Sequence, residues 1–351
     1  MNFVVKNFYF KNNSQPIIIA EAGSNHNGNI DLAKKMVDVA KSAKADIVKF
    51  QAFKSEKEIS RFAPKAKYQK ENTSSKESAN QLELCKSLEL SENNLKEIKN
   101  YCQKVKMPFL CTAFESDSLK FLVNVLKVKS IKIPSSEVTN IPFLREIGAK
   151  KIGVILSTGA SSLTEVGFAV KTLQDAGCPE LVLLHCVSDY PAAHDELNLN
   201  VLATLKNAFG LPVGFSDHSL GIAAPIAAAT LGAVVIEKHF TLDKNAPGPD
   251  HRASVEPNEL AEICKGVKIA HQALGSSLKQ PSRNELKNQP LIRKSLVANK
   301  PLKKGTILSK SAIGIKRPQG GIEPMYLDII LGRKLNRDLQ IDEFIKWKDL
   351  Q

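Results

Sequence analysis

Two histidines follow two short apolar segments in the second half of the chain. Residues 213–215 are apolar and lead towards His218, and residues 233–236 are apolar and lead towards His239. The alanine-rich segment between them, residues 222–231, predicts a helix, so the unit is a strand, a crossover helix and a parallel neighbouring strand. Both strands then end at the same edge of a sheet, where α/β folds place their ligands. The sequence therefore predicts that the two imidazoles face one another.

A pair of imidazoles with carboxylates nearby is a common ligand set for a divalent metal. Asp217, Asp243 and Asp250 lie close to the two histidines in the sequence. Nitrogen and oxygen ligands without thiolate fit such an ion, and two protein ligands leave positions open for water and substrate. The sequence thus predicts a metal on His218 and His239. The alternative is that each histidine only packs or forms a hydrogen bond at a strand end.

Two lysines at the ends of other apolar segments indicate an anionic ligand. Lys49 follows residues 47–48, and Lys132 lies within the segment 131–133. A lysine in a buried strand is costly because its ammonium group needs a partner, so a purely structural role is the less favoured alternative. Two fixed cations and several hydroxyl donors suit a phosphate. The hydroxyl groups predicted at the neighbouring strand ends are those of Thr112, Ser135, Ser157 and Thr158.

Two carboxylates at strand ends complete this set. Glu21 ends an apolar segment that begins at residue 16, and Glu137 follows the segment that contains Lys132. Such groups position or deprotonate a water or hydroxyl, and their alternative role is to form ion pairs with the lysines. The chain contains neither GxGxxG nor GxxxxGK[ST], so no motif supports nucleotide binding. The residues alone leave an aldolase, a phosphatase and a phosphoenolpyruvate-using synthase open.

The elements that position these residues are eight apolar segments that alternate with helical patterns. Each segment ends in polar side chains, and a closed (β/α)8 TIM barrel would bring all of them to one rim. A doubly wound open sheet is the main alternative, but it would leave the ends of its first and last strands far apart. The rim would also include Gln51 and His185. The predicted strands lie at residues 16–21, 47–51, 109–112, 131–133, 154–159, 181–185, 213–215 and 233–236.

Two regions depart from this alternation. Residues 52–79 read as a long polar loop, and such loops cover sites or move. After a barrel domain at residues 1–275, we predict a linker at residues 276–292 and a small, mostly β domain at residues 293–351. Its predicted strands include residues 295–298 and 302–308 and a terminal strand near residues 344–347. A domain of this size is marginally stable alone, so we expect it to pack on another surface.

Composition excludes several classes of protein. The chain has 351 residues, of which 43% are hydrophobic and 24% charged, as in ordinary globular proteins. Its first residues lack the features of a signal peptide, so we expect a cytoplasmic protein. The least polar stretch, residues 222–236, is too short to span a membrane and contains Pro225. The six cysteines include no CxxC pair, which argues against a zinc knuckle or a disulfide framework.

The net charge of +13 is unevenly distributed. Between residues 281 and 317 there are ten Lys and Arg side chains against a single acid, Glu285. Most of the excess therefore lies away from the predicted metal, and such a run is usually a solvated surface. A non-catalytic protein that binds an anionic polymer through this region is a remote alternative. We expect small-molecule substrates and no nucleic acid.

Eight ordered segments resemble the sialic acid synthase family: IIIAEAGSNHNG, DIVKFQAF, IKIPSSE, LSTG, LLHCVSDYP, GFSDHSLG, VIEKHFTLDK and GPDHRAS. Near the C-terminus, RKSLVA, KKG, IKRP and GIEPM resemble the antifreeze-like (SAF) domain that follows the barrel in this family. The resemblance implies a TIM barrel with a SAF domain. It also implies a transferase that condenses phosphoenolpyruvate with an N-acylated amino sugar to give a nine-carbon ulosonic acid and phosphate.

The resemblance also implies roles for individual residues. A divalent metal, first Mn²⁺ with Mg²⁺ or Co²⁺ as alternatives, would lie on His218 and His239 and polarise the sugar aldehyde. The implied catalytic residues are Glu21, which acts on the attacking water or the intermediate, Lys49, Lys132 and Glu137. The implied phosphoenolpyruvate-binding residues are Lys49, Thr112, Lys132, Ser135, Ser157 and Ser188. The implied sugar-binding residues are Gln51, Tyr68, Gln81, Glu137, Tyr190, Asp250 and Arg317, the last contributed in trans by a domain-swapped homodimer.

The identity of the sugar depends on a loop and a few single positions. The segment APKAKYQKENTSSKESANQLELCKSLEL resembles the branch that makes N-acetylneuraminate or N,N'-diacetyllegionaminate. We rank N-acetylneuraminate, made from N-acetylmannosamine, first. N,N'-diacetyllegionaminate, made from 2,4-diacetamido-2,4,6-trideoxymannose, is the alternative. Many relatives have Gly where this chain has Ser136 and Met where it has Ala160, and some have Asn at the position of Ser188. These departures bear on the choice of sugar.

Overall fold

The computed structural model describes residues 3–5, 8–10, 15–73 and 80–351 and divides into two compact units, Met1–Gly275 and Ser276–Gln351. The first unit begins with a hairpin of β1 (Phe3–Val5) and β2 (Phe8–Phe10). Its other strands are β3 (Ile17–Gly23), β4 (Ile47–Ala52), β5 (Phe109–Ala113), β6 (Ser130–Ile133), β7 (Gly153–Ser157), β8 (Leu181–His185), β9 (Val213–Asp217) and β10 (Val235–His239).

The helices of the first unit separate these strands. They are α1 (Ile30–Ser42), α2 (Ser55–Glu58), α3 (Lys67–Asn72), α4 (Gln81–Leu88), α5 (Glu92–Val105), α6 (Ser116–Lys120), α7 (Ile141–Ala149), α8 (Leu163–Asp175), α9 (Val201–Phe209), α10 (Ala223–Thr230) and α11 (Pro257–Leu274). A π-helical turn, Phe121–Val125, continues α6, and single 3₁₀ turns occur at Ser135–Glu137, His194–Glu196 and His251–Ala253.

Strands β3 to β10 form a closed parallel barrel. Each strand pairs with its neighbour in sequence, and β10 pairs with β3 to close the sheet, with His239 opposite Glu21. The (β/α)8 prediction is therefore confirmed, and the open doubly wound sheet is excluded. Because all eight strands run in the same direction, their C-terminal ends share one rim.

Side chains along each strand alternate between two cores. One set packs between the sheet and the surrounding helices and includes Phe215 and Ile236. The other set points to the barrel axis and forms an apolar plug of Ile19, Ile47, Leu110, Ile155, Val182, Leu184 and Val235. Residues two positions further along the strands share the axial face because the strand period is two. Those residues are polar: Glu21, Lys49, Thr112, Ser157 and Glu237.

Strands β9 and β10 are longer than predicted. The prediction ended them at residues 215 and 236, but the ladder continues to Asp217 and His239. Polar residues remain in these strands because each finds a buried partner on its own face. Glu237 accepts a hydrogen bond from Ser216 at 2.8 Å on the axial side, and Lys238 pairs with Asp217 on the helix side. Apolar runs alone therefore underestimate the length of these strands.

The region predicted as a polar loop is partly helical. It contains α2 and α3, and α4 begins shortly after it at Gln81. The backbone N–H of Ser55 donates to Glu89 Oε1 at 2.6 Å, so α2 is held by a residue beyond α4. Such short helices depend on tertiary contacts and leave little periodicity in the sequence. Residues 74–79 of this region lie outside the described part of the chain.

The second unit has its own small core. It consists of α12 (Arg283–Ile292), β11 (Ser295–Ala298), β12 (Ile313–Lys316) and α13 (Leu327–Ile330), with 3₁₀ turns at Lys310–Ala312, Pro324–Tyr326 and Trp347–Asp349. The segment predicted as a linker contains α12, whose first turn is capped by Ser282 and Glu285. The buried side chains include Leu296, Leu302, Leu308, Ile330, Leu335 and Ile345.

Two of the strands predicted in the second unit are wrong. Residues 302–308 and 344–347 form single bridges, including Leu302 with Leu339 and Val297 with Phe344, and are not strands. Turns interrupt the ladders here, as at Gly305, which adopts φ +85°. Separately, none of the helices in the described ranges is long and apolar enough to cross a membrane.

Candidate active site

A central cavity lies at the C-terminal ends of the barrel strands. All eight strands, or the residues just after them, contribute to its lining. Ten residues that the sequence predicted for a site line this one cavity: Glu21, Lys49, Gln51, Thr112, Lys132, Ser135, Ser157, Tyr190, His218 and His239. The lining also includes Phe114, Pro134, Cys186, Ser216 and Glu237, to which the sequence assigned no role in a site. The structure thus brings both lysines and both histidines to one place.

Four of the charged side chains that line this cavity form a buried network. Glu237 Oε2 lies 3.2 Å from Lys49 Nζ, and Glu237 Oε1 lies 3.8 Å from Lys132 Nζ. Lys49 Nζ also lies 3.3 Å from Glu21 Oε2. Each of the four side chains is at most 4% exposed. Two ammonium groups and two carboxylates therefore balance in charge, which is how a protein keeps buried ions stable.

The two carboxylates of this network differ in acidity. Burial raises the pKa of Glu21 to about 7, against the opposing effect of the Lys49 ammonium. Burial also disfavours ionised Glu237, but the ammonium groups of Lys132 and Lys49 outweigh it and lower the pKa of Glu237 to about 2. One carboxylate is thus a permanent counter-ion, while the other can gain or lose a proton near neutral pH. Such a division is typical of acid–base catalysis.

The lysines also differ. Burial disfavours the charged form of both, but Glu21 and Glu237 outweigh it at Lys49, and the pKa of Lys49 is raised. For Lys132 burial prevails over the attraction of Glu237, and its pKa is lowered. Lys132 therefore has the weaker set of negative partners. An anionic ligand beside it would supply the missing charge.

Hydroxyl groups surround the two ammonium groups. Lys49 Nζ donates to Thr112 Oγ1 at 3.2 Å, and Lys132 Nζ donates to Ser157 Oγ at 2.6 Å. Thr158, also predicted to face an anion, instead donates its hydroxyl to the carbonyl oxygen of Leu184 at 3.0 Å. Ammonium and hydroxyl donors directed to one cavity are suited to phosphate or carboxylate oxygens.

Ser188 lies beside this donor set without lining the cavity. Its Oγ is 3.1 Å from Ser135 Oγ, so it supports a residue that does line the cavity. Gly159 lies against the same group: a Cβ there would come within 2.3 Å of Ser188 Oγ and 2.8 Å of Cys186 Sγ. A glycine is needed at this position because the neighbouring side chains occupy the space of a methyl group.

The two histidines lie side by side at the mouth of the barrel. Their ring centroids are 5.5 Å apart, and the ring of Tyr190 lies 4.1 Å from that of His218. His218 Nδ1 donates to the carbonyl oxygen of Val187 at 2.6 Å, which leaves Nε2 as an acceptor 3.1 Å from the Tyr190 hydroxyl. The Nδ1 atom of His239 is buried and has no hydrogen-bond partner among the residues that the structure describes.

These two imidazoles fit the predicted metal. Burial lowers the pKa of His218 to about 4 and the pKa of His239 well below its usual value, so both rings are neutral at pH 7. Neutral rings are the form that binds metal, and ligation would satisfy the buried nitrogen of His239. The Val187 carbonyl oxygen accepts the Nδ1–H of His218 and so orients the ring, as hydrogen-bond partners of metal-binding histidines usually do. Throughout the described ranges, no three His, Cys, Asp or Glu side chains are arranged to hold an ion, so the fit rests on the two imidazoles.

Glu137 lies in a second pocket that adjoins the central cavity at Phe114. Its carboxylate accepts hydrogen bonds from Asn140 Nδ2 at 2.6 Å and from Ser136 Oγ at 3.0 Å. The pocket has an apolar wall of Pro142 and Phe143 and contains further carboxylates, those of Glu58, Glu115 and Glu146. Glu137 was predicted as a catalytic and sugar-binding residue, and the structure places it outside the central cavity.

Asp250 approaches the site from the loop after β10. Ser24 Oγ donates to Asp250 Oδ2 at 3.0 Å, and burial raises the pKa of Asp250 to about 6. A Cβ on Gly23 would lie 3.1 Å from His239 Nδ1 and 3.5 Å from Asp250 Oδ2, so both side chains approach the same backbone. Gly23 also has φ +51°, a conformation that favours glycine.

Among the described side chains, two other residues predicted to bind the sugar, Gln81 and Arg317, do not line the cavity. Gln81 is the first residue of α4 and is partly buried. Tyr68 belongs to α3, and its side chain is outside the described part of the structure. Arg317 is an exposed residue that follows β12 in the second unit. Helix α3 is tied to the loop that contains Asp250, because Asn72 Nδ2 donates to the carbonyl oxygen of Pro249 at 2.8 Å.

Three polar residues lie away from the place that the sequence suggested. His185 faces the helices, where its Nε2 lies 2.7 Å from the carbonyl oxygen of Leu197. Asp217 also faces the helices, paired with Lys238. Asp243 is exposed and accepts a hydrogen bond within its own turn. The first two corrections have the same cause, since successive strand residues point to opposite faces and position near a strand end does not reveal which face.

The main residue that was missed is Glu237. It holds both lysines, and a signal for it exists in the sequence: it lies two residues before His239, and residues at this spacing share a strand face. The same rule connects Ser216 with His218. Phe114 and Cys186 lie just beyond their strands, where no periodic signal applies.

Comparisons with known proteins agree with the fold. A family model described as the NeuB family matches residues 36–279, and one described as the SAF domain matches residues 293–351. The chain is 45% identical over 332 residues to N,N'-diacetyllegionaminic acid synthase of Campylobacter jejuni, covering 94% of this chain and 98% of that protein. It is 43% identical over 338 residues to the protein of the same name from Legionella pneumophila, covering 95% and 94%.

A solved structure gives a similar result. The N-acetylneuraminic acid (sialic acid) synthetase of Leptospira borgpetersenii, crystallised in complex with citrate, aligns with a TM-score of 0.72 at 34% sequence identity. The alignment covers 82% of this chain and 95% of that chain. The matches to the two synthases thus cover both units of this chain, and the match to the solved structure covers most of the chain.

Proposed function

The chain belongs to the NeuB family, and on that premise we propose that it is an N,N'-diacetyllegionaminic acid synthase. Enzymes of this family are phosphoenolpyruvate-condensing transferases. The proposed reaction joins phosphoenolpyruvate to 2,4-diacetamido-2,4,6-trideoxymannose and releases phosphate. The central cavity supports the proposal, because it places two buried lysines with hydroxyl donors beside two neutral imidazoles.

Sequence identity supports this sugar over the one ranked first from the sequence. Identities of 45% and 43% connect the chain to two proteins named as N,N'-diacetyllegionaminic acid synthases. N-acetylneuraminate becomes the second candidate, supported by the synthetase structure that is 34% identical. Membership of a family of transferases gives no support to the remote alternative, a non-catalytic protein that binds an anionic polymer.

Phosphoenolpyruvate would bind against the charged layer of the barrel. Lys49 and Lys132 are fixed by Glu237, so their positions do not depend on the ligand. A phosphate or carboxylate beside Lys132 would complete its set of negative partners and accept hydrogen bonds from the neighbouring hydroxyls. Charges held in place before the reaction lower the cost of reorganisation as the phosphate leaves. The hydroxyls proposed for this role are those of Thr112, Ser135 and Ser157, with Ser188 behind Ser135.

The sugar would bind towards the mouth of the cavity. A divalent metal on His218 and His239, with Mn²⁺ proposed first, would polarise the aldehyde oxygen of the open-chain sugar. Gln51 and Tyr190 line the same cavity, and Asp250 lies beside His239. The adjoining pocket at Glu137 offers an amide, several carboxylates and an apolar wall for the distal substituents of the sugar. In a homodimer, Arg317 from a second copy of the chain would contact an acyl group.

The chain's own groups would manage the proton and the leaving group. C3 of phosphoenolpyruvate forms the new bond to C1 of the sugar, the aldehyde oxygen takes up a proton and becomes a hydroxyl, and water adds at the cationic C2 of the phosphoenolpyruvate part. Glu21, whose pKa is about 7, would accept a proton from that water. The C2–O bond to phosphate then breaks, and the departing charge is balanced by Lys49 and Lys132.

The test is a direct comparison of sugars. Purified protein is incubated with phosphoenolpyruvate, Mn²⁺ and either 2,4-diacetamido-2,4,6-trideoxymannose or N-acetylmannosamine, and the product is identified by mass. We expect kcat/KM to be at least about tenfold higher for the diacetamido sugar, since one buried polar or acyl contact is worth that much. A preference for N-acetylmannosamine would favour the second candidate. His218→Ala protein serves as the inactive control, and no phosphate release from the wild type with either sugar would refute both.

A further inference from the structure

A buried ion pair joins the two strands that end in the predicted metal ligands. Lys238 Nζ lies 2.5 Å from Asp217 Oδ2, and both side chains are 0% exposed. The two residues are register partners in β10 and β9. They face the helices, on the opposite side of the sheet from the cavity, and neither lines it. The two residues of the pair therefore precede the two histidines directly in the chain, but their side chains do not point into the cavity where the metal and substrates would bind.

The same pair holds the residue that follows His218. Asp217 Oδ1 accepts hydrogen bonds from Ser219 N at 2.9 Å and Ser219 Oγ at 2.7 Å, while Lys238 Nζ donates to the carbonyl oxygen of Ser219. Asp217 precedes His218 and Ser219 follows it, so both neighbours of His218 are bonded to one ammonium group. That ammonium belongs to the residue that precedes His239. One cation thus links the backbone around both histidines.

Stability alone is a poor explanation for this arrangement. Other residues on the helix-facing side of these strands, Phe215 and Ile236, are apolar and belong to the main core. Removing two charges from water costs about as much as their attraction returns, so apolar residues in the same place are often as stable. What an ion pair adds is direction, because each of its bonds fixes the position of a specific atom. Here the fixed atoms belong to the backbone beside the histidines.

We propose that Lys238, Asp217 and Ser219 form a positioning clamp that sets the distance and orientation of His218 relative to His239. The inference rests on the proposed function for the identity of the ligand, a divalent metal, and on the geometry for the clamp itself. Without the clamp, the His218 carbonyl oxygen still accepts from Ala192 N at 3.0 Å, but the residues on either side of His218 lose their link to Lys238, so its ring no longer holds one geometry towards the Val187 carbonyl oxygen. The two imidazoles then sample separations that one ion does not bridge, and metal affinity falls.

The main test removes both charges together. Asp217→Leu/Lys238→Met protein avoids leaving one buried charge without its partner. We expect its Kd for Mn²⁺, measured from the electron paramagnetic resonance signal of the free ion, to rise about 10- to 100-fold, as is usual when groups that orient metal ligands are lost. Val267→Ala, at a fully buried site in α11 of the same core, is the control for reduced stability, and its Kd should stay within about twofold. Wild-type affinity in the folded double variant would overturn the clamp.

Two further measurements keep the clamp testable by itself. Ser219→Ala removes one hydrogen bond and retains the ion pair, so we expect it to fold and to raise Kd roughly threefold; if the double variant does not fold, unchanged affinity here counts against the clamp. In metal-free protein at pH 8, ¹⁵N NMR should show His218 with its proton on Nδ1 in the wild type and a mixture of tautomers in the variants. Identical spectra would refute the clamp, whether or not the wild type binds Mn²⁺. Failure of the wild type to bind Mn²⁺ would separately refute the proposed metal.

Discussion

Glu237 is the shared counter-ion of the two lysines in the cavity. Its two oxygens face Lys49 at 3.2 Å and Lys132 at 3.8 Å, and Ser216 donates to it as well. Because it is held ionised, the lysines stay charged in an otherwise buried layer. By keeping both ammonium groups charged, Glu237 prepares the cavity for an anion, but its own negative charge also repels one. The protonation of the second carboxylate, Glu21, sets the balance between attraction and repulsion.

Replacing Glu237 by Gln tests this account of the charged layer. Two ammonium groups would then share a single buried carboxylate, and we expect the free energy of unfolding to fall by about 3–5 kcal/mol. Denaturant unfolding at pH 7 measures it. Glu56→Gln is the matched control, since its ion pair with Lys86 is exposed and its loss should leave stability nearly unchanged. Inorganic phosphate should stabilise Glu237→Gln protein more than wild type; no difference would contradict the proposed anion site.

The raised pKa of Glu21 predicts a specific pH dependence. The pKa of about 7 lies above the ordinary value for glutamate, so Glu21 is protonated below pH 7 and loses its capacity to accept a proton there. We expect kcat/KM to fall as the pH decreases through about 7. Glu21→Gln should reduce kcat/KM by about 10²–10⁴ and abolish this acidic limb. Circular dichroism over the same range controls for unfolding, and an acidic limb that survives in the variant would assign the proton to another group.

At the residue scale, the sequence located the site better than it located orientations. Lys49, Lys132, His218 and His239 were identified from their place at strand ends, and all four line the cavity. His185 met the same criterion and faces the helices instead. Alternate residues of a strand face the barrel axis and the helices. Which set a residue belongs to depends on the position where its strand enters the barrel, and the sequence near the strand end does not show that position. Contacts such as that of Glu137 with Asn140 belong to loops and depend on tertiary packing.

Among the secondary-structure elements, those with a strong local signal were predicted most accurately. The last helix of the barrel, α11, is an example, because its sequence is amphipathic over residues 257–274 and the helix has the same bounds in the structure. Helices α2 and α3 have four and six residues and were missed. Isolated helices of this length are unstable, so their formation depends on contacts distant in sequence, and a local pattern does not record those.

The end of α5 offers a test of helix termination. Lys106 follows the last helical residue, Val105, with φ +58°, a left-handed conformation that costs energy for any residue with a Cβ. We expect Lys106→Gly to raise the free energy of unfolding by about 0.5–1 kcal/mol. Lys104→Gly, inside the last turn of the same helix, is the matched control and should lower it by about 1 kcal/mol. Equal effects of the two substitutions in denaturant unfolding would show that backbone strain at residue 106 is negligible.

On the scale of the whole molecule, the chain consists of two units with separate hydrophobic cores. The barrel unit contains every residue that lines the central cavity. The second unit contains the whole basic segment at residues 281–317, including the exposed Arg317. Under the proposed homodimer, the second unit contributes to catalysis through Arg317 in trans, which makes each site depend on two chains.

Mixing two inactive variants tests whether a site is shared between subunits. His218→Ala lacks a metal ligand in its own barrel, and Arg317→Ala lacks the residue proposed to reach the partner's sugar. In a mixed dimer, the barrel of the Arg317→Ala chain keeps both histidines and receives an intact arginine from the other subunit, so one of its two sites is complete. With equal amounts and random exchange, half of the dimers are mixed, and we expect about a quarter of wild-type activity to return. Phosphate release is measured before and after exchange, which native mass spectrometry verifies. If activity does not recover although mixed dimers form, Arg317 acts within its own chain or not at all.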